Sequence, residues 1–137
     1  MISLGGIGLA TARAFLAANI RGLLLVDQSQ ERLDRVFLEL SSDEQQRCQC
    51  FVADVSSETN NYAKHALELW GKLDVAVLNA GICNEPASIL DTDAEIWDKI
   101  MQVNGRGGAF HDSPAVSPHS GRALLQYFSG SSSAEKS

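Results

Sequence analysis

Gly5, Gly6 and Gly8 open an apolar, alanine-rich segment, and 19 residues beyond Gly8 an apolar run ends in Asp27. Glycines at a helix start let backbone amides close on a pyrophosphate lying at the positive end of that helix. An acidic side chain at this spacing, on the tip of the next strand, can accept hydrogen bonds from ribose hydroxyls. The same residues also have plainer readings: a flexible lead-in for the glycines, and a turn aspartate capping the next helix for Asp27. Further on, Asp54 and Val55 follow a second apolar run, Asn79, Ala80 and Gly81 follow a third, and Asn104 ends an amphipathic stretch. Most of these candidates stand where an apolar run gives out.

The elements that must position them alternate in type. Leu9 to Ala18 reads as a helix with small residues on the faces that approach a sheet, with Asn19 and Gly22 at its exit. Leu23 to Val26 is an uninterrupted apolar run, the pattern of a parallel strand covered on both faces. Ser29 is placed to cap a helix whose stripe is Leu33, Val36, Phe37 and Leu40. Cys50 to Ala53 forms a strand, and the cap cluster Ser56, Ser57, Glu58 leads into a helix bearing Tyr62, Ala66, Leu67 and Trp70. Gly71 suits a left-handed helix end, Leu73 to Leu78 is the next strand, and Thr92 with Glu95 signals a capped helix carrying Ile96, Trp97, Ile100 and Val103. Glycines and prolines then break the pattern until the apolar run Ala123 to Phe128, a further strand, and the serine-rich stretch from Ser129 to Ser137 is expected to fray.

This order predicts an α/β fold, a Rossmann-like doubly wound parallel sheet over residues 1–128, followed by a disordered tail over 129–137. Ligands of such sheets bind at the carboxyl ends of the strands, where the candidates cluster. A carboxylate at Asp27 would repel a phosphate on the ribose, which argues for NAD over NADP.

Composition bounds the rest. The 137 residues suit one domain, and 45% hydrophobic with 20% charged residues is ordinary for a globular chain. The formal net charge of −6 repels phosphate backbones and anionic lipid, so nucleic acid and membrane are not expected as partners. Cys48, Cys50 and Cys83 lack the spacing of a zinc site and are expected to be reduced thiols, Cys83 as a small buried residue. His65 reads as a surface helix residue, His111 and His119 have no carboxylate spaced to orient them, and no metal site is expected. With no apolar run near the ~18 residues of a membrane span and no leader pattern, a cytoplasmic protein is expected.

The series Gly6-Ile7-Gly8, Asp27, Ala53-Asp54-Val55, Leu78-Asn79-Ala80-Gly81 and Val103-Asn104 resembles the short-chain dehydrogenase/reductase family, from residue 5 to about 110. The resemblance implies NAD-dependent hydride transfer between a nicotinamide cofactor and a small alcohol or ketone. It implies that Gly6, Ile7 and Gly8 cradle the pyrophosphate, that Asp54 contacts the adenine amine with Val55 beside the ring, and that Asn79, Ala80 and Gly81 line the adenosine side. It gives Asn104 the catalytic role of holding a water in the proton relay. A homo-oligomer built through the Thr92 to Val103 helix is also within the family's habit.

Two departures from the pattern shape the expectations. Met1 and Ile2 stand where the family carries the end of a first strand and a Thr-Gly pair, so the chain reads as truncated at both ends. That strand is central in the family's order 3-2-1-4-5, and its loss would leave Leu23 to Val26 and Leu73 to Leu78 about 9.6 Å apart, twice the ladder spacing. Each buried ladder group without a partner costs roughly 1–3 kcal/mol, so the sheet should be poor, or rearranged around a substitute strand. Second, the family's catalysis uses a serine, a tyrosine and a lysine four residues after the tyrosine. Ser129, Ser131, Ser132 and Ser133 are serine candidates, but Tyr62 and Tyr127 are followed at that spacing by Ala66 and Ser131. The expectation is therefore a cofactor-binding portion without turnover, its rival a non-catalytic nucleotide-binding or interaction module that accepts a strand from a partner.

Overall fold

The computed structural model describes residues 7–57, 62–83 and 93–106, together with the backbone of a strand over 123–127. Its elements are α1 (Ile7–Ala17), β1 (Gly22–Asp27), α2 (Gln30–Glu39), α3 (Ser42–Arg47), β2 (Cys48–Val52), α4 (Tyr62–Trp70), β3 (Val75–Val77), α5 (Ala94–Met101) and β4 (Ala123–Tyr127). A π-helical turn, Gln102–Arg106, extends α5. The predicted serine tail, Gly5, Gly6, Thr92, His111 and His119 lie outside the described residues.

β1 is the buried axis of the molecule, with all six residues inaccessible or nearly so. Its side chains alternate between two apolar clusters, as the twofold repeat of a strand requires. Leu23 and Leu25 face α1 and α2, packing with Leu9, Ala12, Leu16, Leu33, Val36 and Leu40. Leu24 and Val26 face the other way, onto Tyr62 and Ala66 of α4, with Ala53 and Leu73 beside them. An apolar run without polar interruption is what a strand covered on both sides needs. The sheet is thus sandwiched between helices, and the expected doubly wound architecture is present.

The strand order is β2-β1-β4-β3, and every pairing is parallel. The gap expected between β1 and β3 is filled by the chain itself. β4 pairs with β1 on one side, Leu24 opposite Leu125, and with β3 on the other, Ala76 opposite Leu125. The last strand in sequence therefore takes the central place. A buried parallel ladder with two open edges is costly, and this sequence holds one further run able to close it.

Local chemistry explains the boundaries. Ser29 caps α2 by accepting from the Arg32 amide, and Gly71 ends α4 with φ of 77°, as its spacing predicted. Asn19 takes the left-handed conformation at the exit of α1, with φ of 57°. The cap of α5 is Asp93, which accepts from the Glu95 amide; the serine-like signal placed on Thr92 is one residue too early. α3 was not anticipated, since it is a six-residue helix held by a reciprocal capping box between Ser41 and Glu44. Its Arg47 reaches back to donate to the carbonyls of Leu16 and Ile20, at 3.4 and 3.1 Å, satisfying groups left over at the end of α1.

Gly22 opens β1 directly beneath Trp70, so that a Cβ built there would fall on the indole ring. Gly22→Val should force that ring out of its site and cost about 1–3 kcal/mol by overpacking. Chemical denaturation of the variant checks this, with a loss of tryptophan emission change on unfolding as the local signature.

Candidate functional site

All four strands run parallel, so their carboxyl ends share one edge of the sheet. Asp27 ends β1 there, and the Ala53 amide, just past β2, donates to its carbonyl at 3.0 Å. This bond brings the Asp54-Val55 segment alongside Asp27. Asp54 is exposed and folds its own turn, accepting from the Ser56 amide at 2.9 Å and from the Ser56 hydroxyl at 2.7 Å. Val55 and Ala80 both pack on the cluster around Tyr62, from either side of the sheet's middle. Asn79, Ala80 and Gly81 follow β3 and are separated from Asp27 by β4. Gly8 is buried in the first turn of α1, while Ile7 beside it is exposed; Gly6 lies outside the described residues.

Asp27 is the one polar or charged residue in the described core, at 1% exposure. The Ser29 amide donates to its Oδ1 at 2.8 Å, an Asx turn that fixes the carboxylate's orientation. Its Oδ2 is buried and accepts from no group among the described residues. Burial pushes its pKa above the usual carboxylate value, against the opposing pull of the Ser29 amide, the Arg32 guanidinium and the Gln28 amide. A carboxylate oriented through one oxygen, with a second that lacks a donor among the described residues, has the acceptor chemistry that a ribose hydroxyl would match.

That raised value has a consequence for stability. The folded chain binds this proton more tightly than the unfolded chain, so the contribution to folding is full at pH below the unfolded value and is lost as pH rises through the folded one. Asp27→Asn, which keeps the Oδ1 acceptor without the charge, should melt higher than the parent at neutral pH. The two melting curves should converge in acid, below the ordinary carboxylate range; a parallel offset at every pH would contradict this origin.

Asn104 sits in the π-helical turn after α5 and ties that turn to the segment leaving β3. Its Oδ1 accepts from the Ile82 amide and its Nδ2 donates to the Ile82 carbonyl, both at 2.8 Å. Gly81 lies against the same amide, where an added Cβ would come 3.4 Å from Oδ1. The side chain is thus spent on backbone, and Asn79 to Cys83 is held in register with residues far along the chain. Sequence spacing gave no sign of Ile82 as the partner, because the latch joins two backbone groups rather than a side-chain motif.

The remaining candidates fall away from this edge. Tyr62 is wholly buried in the α4 cluster, and burial raises its hydroxyl pKa. His65 lies against Phe51, ring centroids 5.0 Å apart. Cys48 is buried, its thiol pushed up to about 12 chiefly by burial, and Cys50 likewise to about 11. Cys83 is exposed, correcting its expected place in the interior: it lies just beyond the Ile82 latch, and among the described residues no apolar layer covers it. Among the described residues no group of three or more His, Cys, Asp or Glu could hold a metal, and no helix is long and apolar enough to cross a membrane.

A parallel sheet wound by helices on both faces, with a buried carboxylate at a central strand tip, defines a Rossmann-like unit. The chain belongs to the short chain dehydrogenase family, which it matches over residues 3–123. It is 33% identical over 121 residues to short-chain dehydrogenase reductase 3a of Arabidopsis thaliana, covering 88% of this chain and 44% of that protein. A short-chain dehydrogenase/reductase from Brucella melitensis, described as a glucose/ribitol dehydrogenase, superposes with a TM-score of 0.70 at 25% identity, over 86% of this chain and 49% of that one. A 3-ketoacyl-(acyl-carrier-protein) reductase from the same organism, solved with NADH, gives 0.67 at 30% identity, over 75% and 41%. The chain spans less than half the length of these relatives.

Proposed function

We propose that this chain is a dinucleotide-binding portion of a family oxidoreductase, one that takes NAD in preference to NADP and belongs to hydride transfer involving a small alcohol or carbonyl compound. The observation that carries the reading is Asp27: a buried carboxylate at the strand tip, oriented by the Ser29 amide, whose Oδ2 has no donor among the described residues. When bound, the cofactor would supply or accept the hydride. The amides near Gly6, Ile7 and Gly8 would meet its pyrophosphate, Asp54 and Val55 its adenine, and Asn79, Ala80 and Gly81 the adenosine side. Asn104, whose side-chain amide is engaged by the Ile82 backbone, would hold the water of the proton relay.

Titration of the purified chain with NADH, followed by nicotinamide fluorescence, tests the reading. Saturable binding, at least tenfold tighter than NADPH, is the expected result. Absence of saturable binding of either dinucleotide overturns it.

A second reading, a non-catalytic interaction module that assembles with copies of itself, is favoured by the apolar surface of β3 and α5. Val75 of β3 is 41% exposed, and Trp97 of α5 53%. Sedimentation of the same preparation distinguishes a monomer from an assembly.

A further inference from the structure

β4 is held in the sheet differently from its neighbours. Its backbone pairs on both sides, with β1 from Gly22–Ala123 to Val26–Tyr127 and with β3 from Val75–Leu124 to Val77–Gln126. α1 and α4 both approach it. Its covalent tie to the preceding elements is the stretch 107–122, which carries Gly107, Gly108, Pro114, Pro118 and Gly121. Drawn out, a stretch of that length spans at most ~53–58 Å, against ~30 Å for the diameter of a small domain, so β4 can reach its own body or a neighbouring one. The slot that receives it has one solid wall and one thin wall. β1 is buried along its whole length, whereas β3 has three residues and its Val75 is half-exposed. An element with so short a ladder opens at lower free energy than the core around it.

We propose that the slot between β1 and β3 is a strand-accepting surface whose partner is a second copy of this chain, two copies exchanging Ala123–Tyr127 to form a reciprocal dimer. The walls of the slot bind β4 through backbone groups in a fixed register, so the same strand from another copy makes the same bonds. Exchange therefore gains and loses nothing within the slot, which makes it a low-cost route to a dimer. Concentration decides between the two arrangements. A tethered strand meets its own slot at an effective concentration on the order of millimolar, so the monomer prevails in dilute solution. Two unfinished chains in a concentrated pool each offer an unfilled slot and a free strand, and each closes on the other's. The exchange does not depend on dinucleotide binding. It also differs from assembly through the outer faces of β3 and α5, which gives neither copy a strand.

The test mixes two full chains, each spoiled in one half of the exchange. Leu125→Pro breaks the strand and leaves the slot; Leu24→Pro combined with Val26→Pro breaks the slot and leaves the strand. Refolded alone, each should show no cooperative melting transition. Refolded together at high concentration, they should regain one, with at most about half the parent's amplitude because only one of the two bodies is complete. Sedimentation should place that transition in a species of two chains. Adding Leu125→Pro to the strand donor should remove it again. A mixture that stays without a transition overturns the proposal. So does a Leu125→Pro chain that melts cooperatively by itself, since its slot would then have no need of this strand.

Discussion

Leu125→Pro should unfold this protein, or leave it with no cooperative transition. Leu125 lies at the middle of β4, opposite Leu24 on one side and Ala76 on the other, so its backbone serves the interior of the sheet. Proline removes the N–H and its ring disturbs the ladder, which is why it is confined to edges and bulges in natural sheets. One buried group left without a partner costs about 1–3 kcal/mol. Because β4 joins the two halves of the sheet, we expect a total loss of about 3 kcal/mol or more, a large part of the 5–15 kcal/mol typical of a domain. Leu125→Ile keeps the N–H and the apolar bulk and should leave the denaturation midpoint nearly where it was. An unchanged midpoint in the proline variant would mean that β4 does not occupy the centre of the sheet.

The second large effect concerns chemistry. With saturating NAD and a small secondary alcohol, these 137 residues should form NADH no faster than a protein-free control. The chain has no tyrosine followed four residues later by lysine, and Tyr62 is enclosed in the core with its proton held more firmly than usual. A positioned general acid or base contributes about 10² to 10⁴ in rate, and a lysine that orients both proton and ribose would add to that. Binding without turnover is the expected pair of results. Measurable oxidation of the alcohol would show that another group moves the proton and would revise the assignment of roles.

Much of the frame was legible in the sequence because it follows from short-range rules. Leu23 to Val26 announced a strand buried on both faces, and the structure divides those residues between two clusters. Ser29 and Gly71 marked helix ends through backbone chemistry that belongs to the residues themselves. Asp27 was placed by spacing at a strand tip, and the structure ends β1 on it. The order of strands was not legible in the same way. Ala123 to Phe128 reads as a strand on its composition alone, but which slot it fills depends on β1 and β3 both being short of a partner, a property of the assembled sheet. Arg32 was missed for a related reason: a helix-face arginine is ordinary until the fold sets the buried carboxylate five residues earlier within 3.8 Å of it. The Asn104 latch needed the close approach of Gly81, which no local pattern encodes.

The place of β4 also sets the order in which this polypeptide can be finished. On the ribosome, β1, β2 and β3 emerge before the strand that must lie between two of them. Until then the nascent chain carries two bare inner edges, each a template for pairing with whatever strand is nearest. Closing the sheet therefore waits for a strand far along the sequence from both of its neighbours, and a chaperone that shields extended apolar segments should raise the yield more than one that acts on the folded sheet.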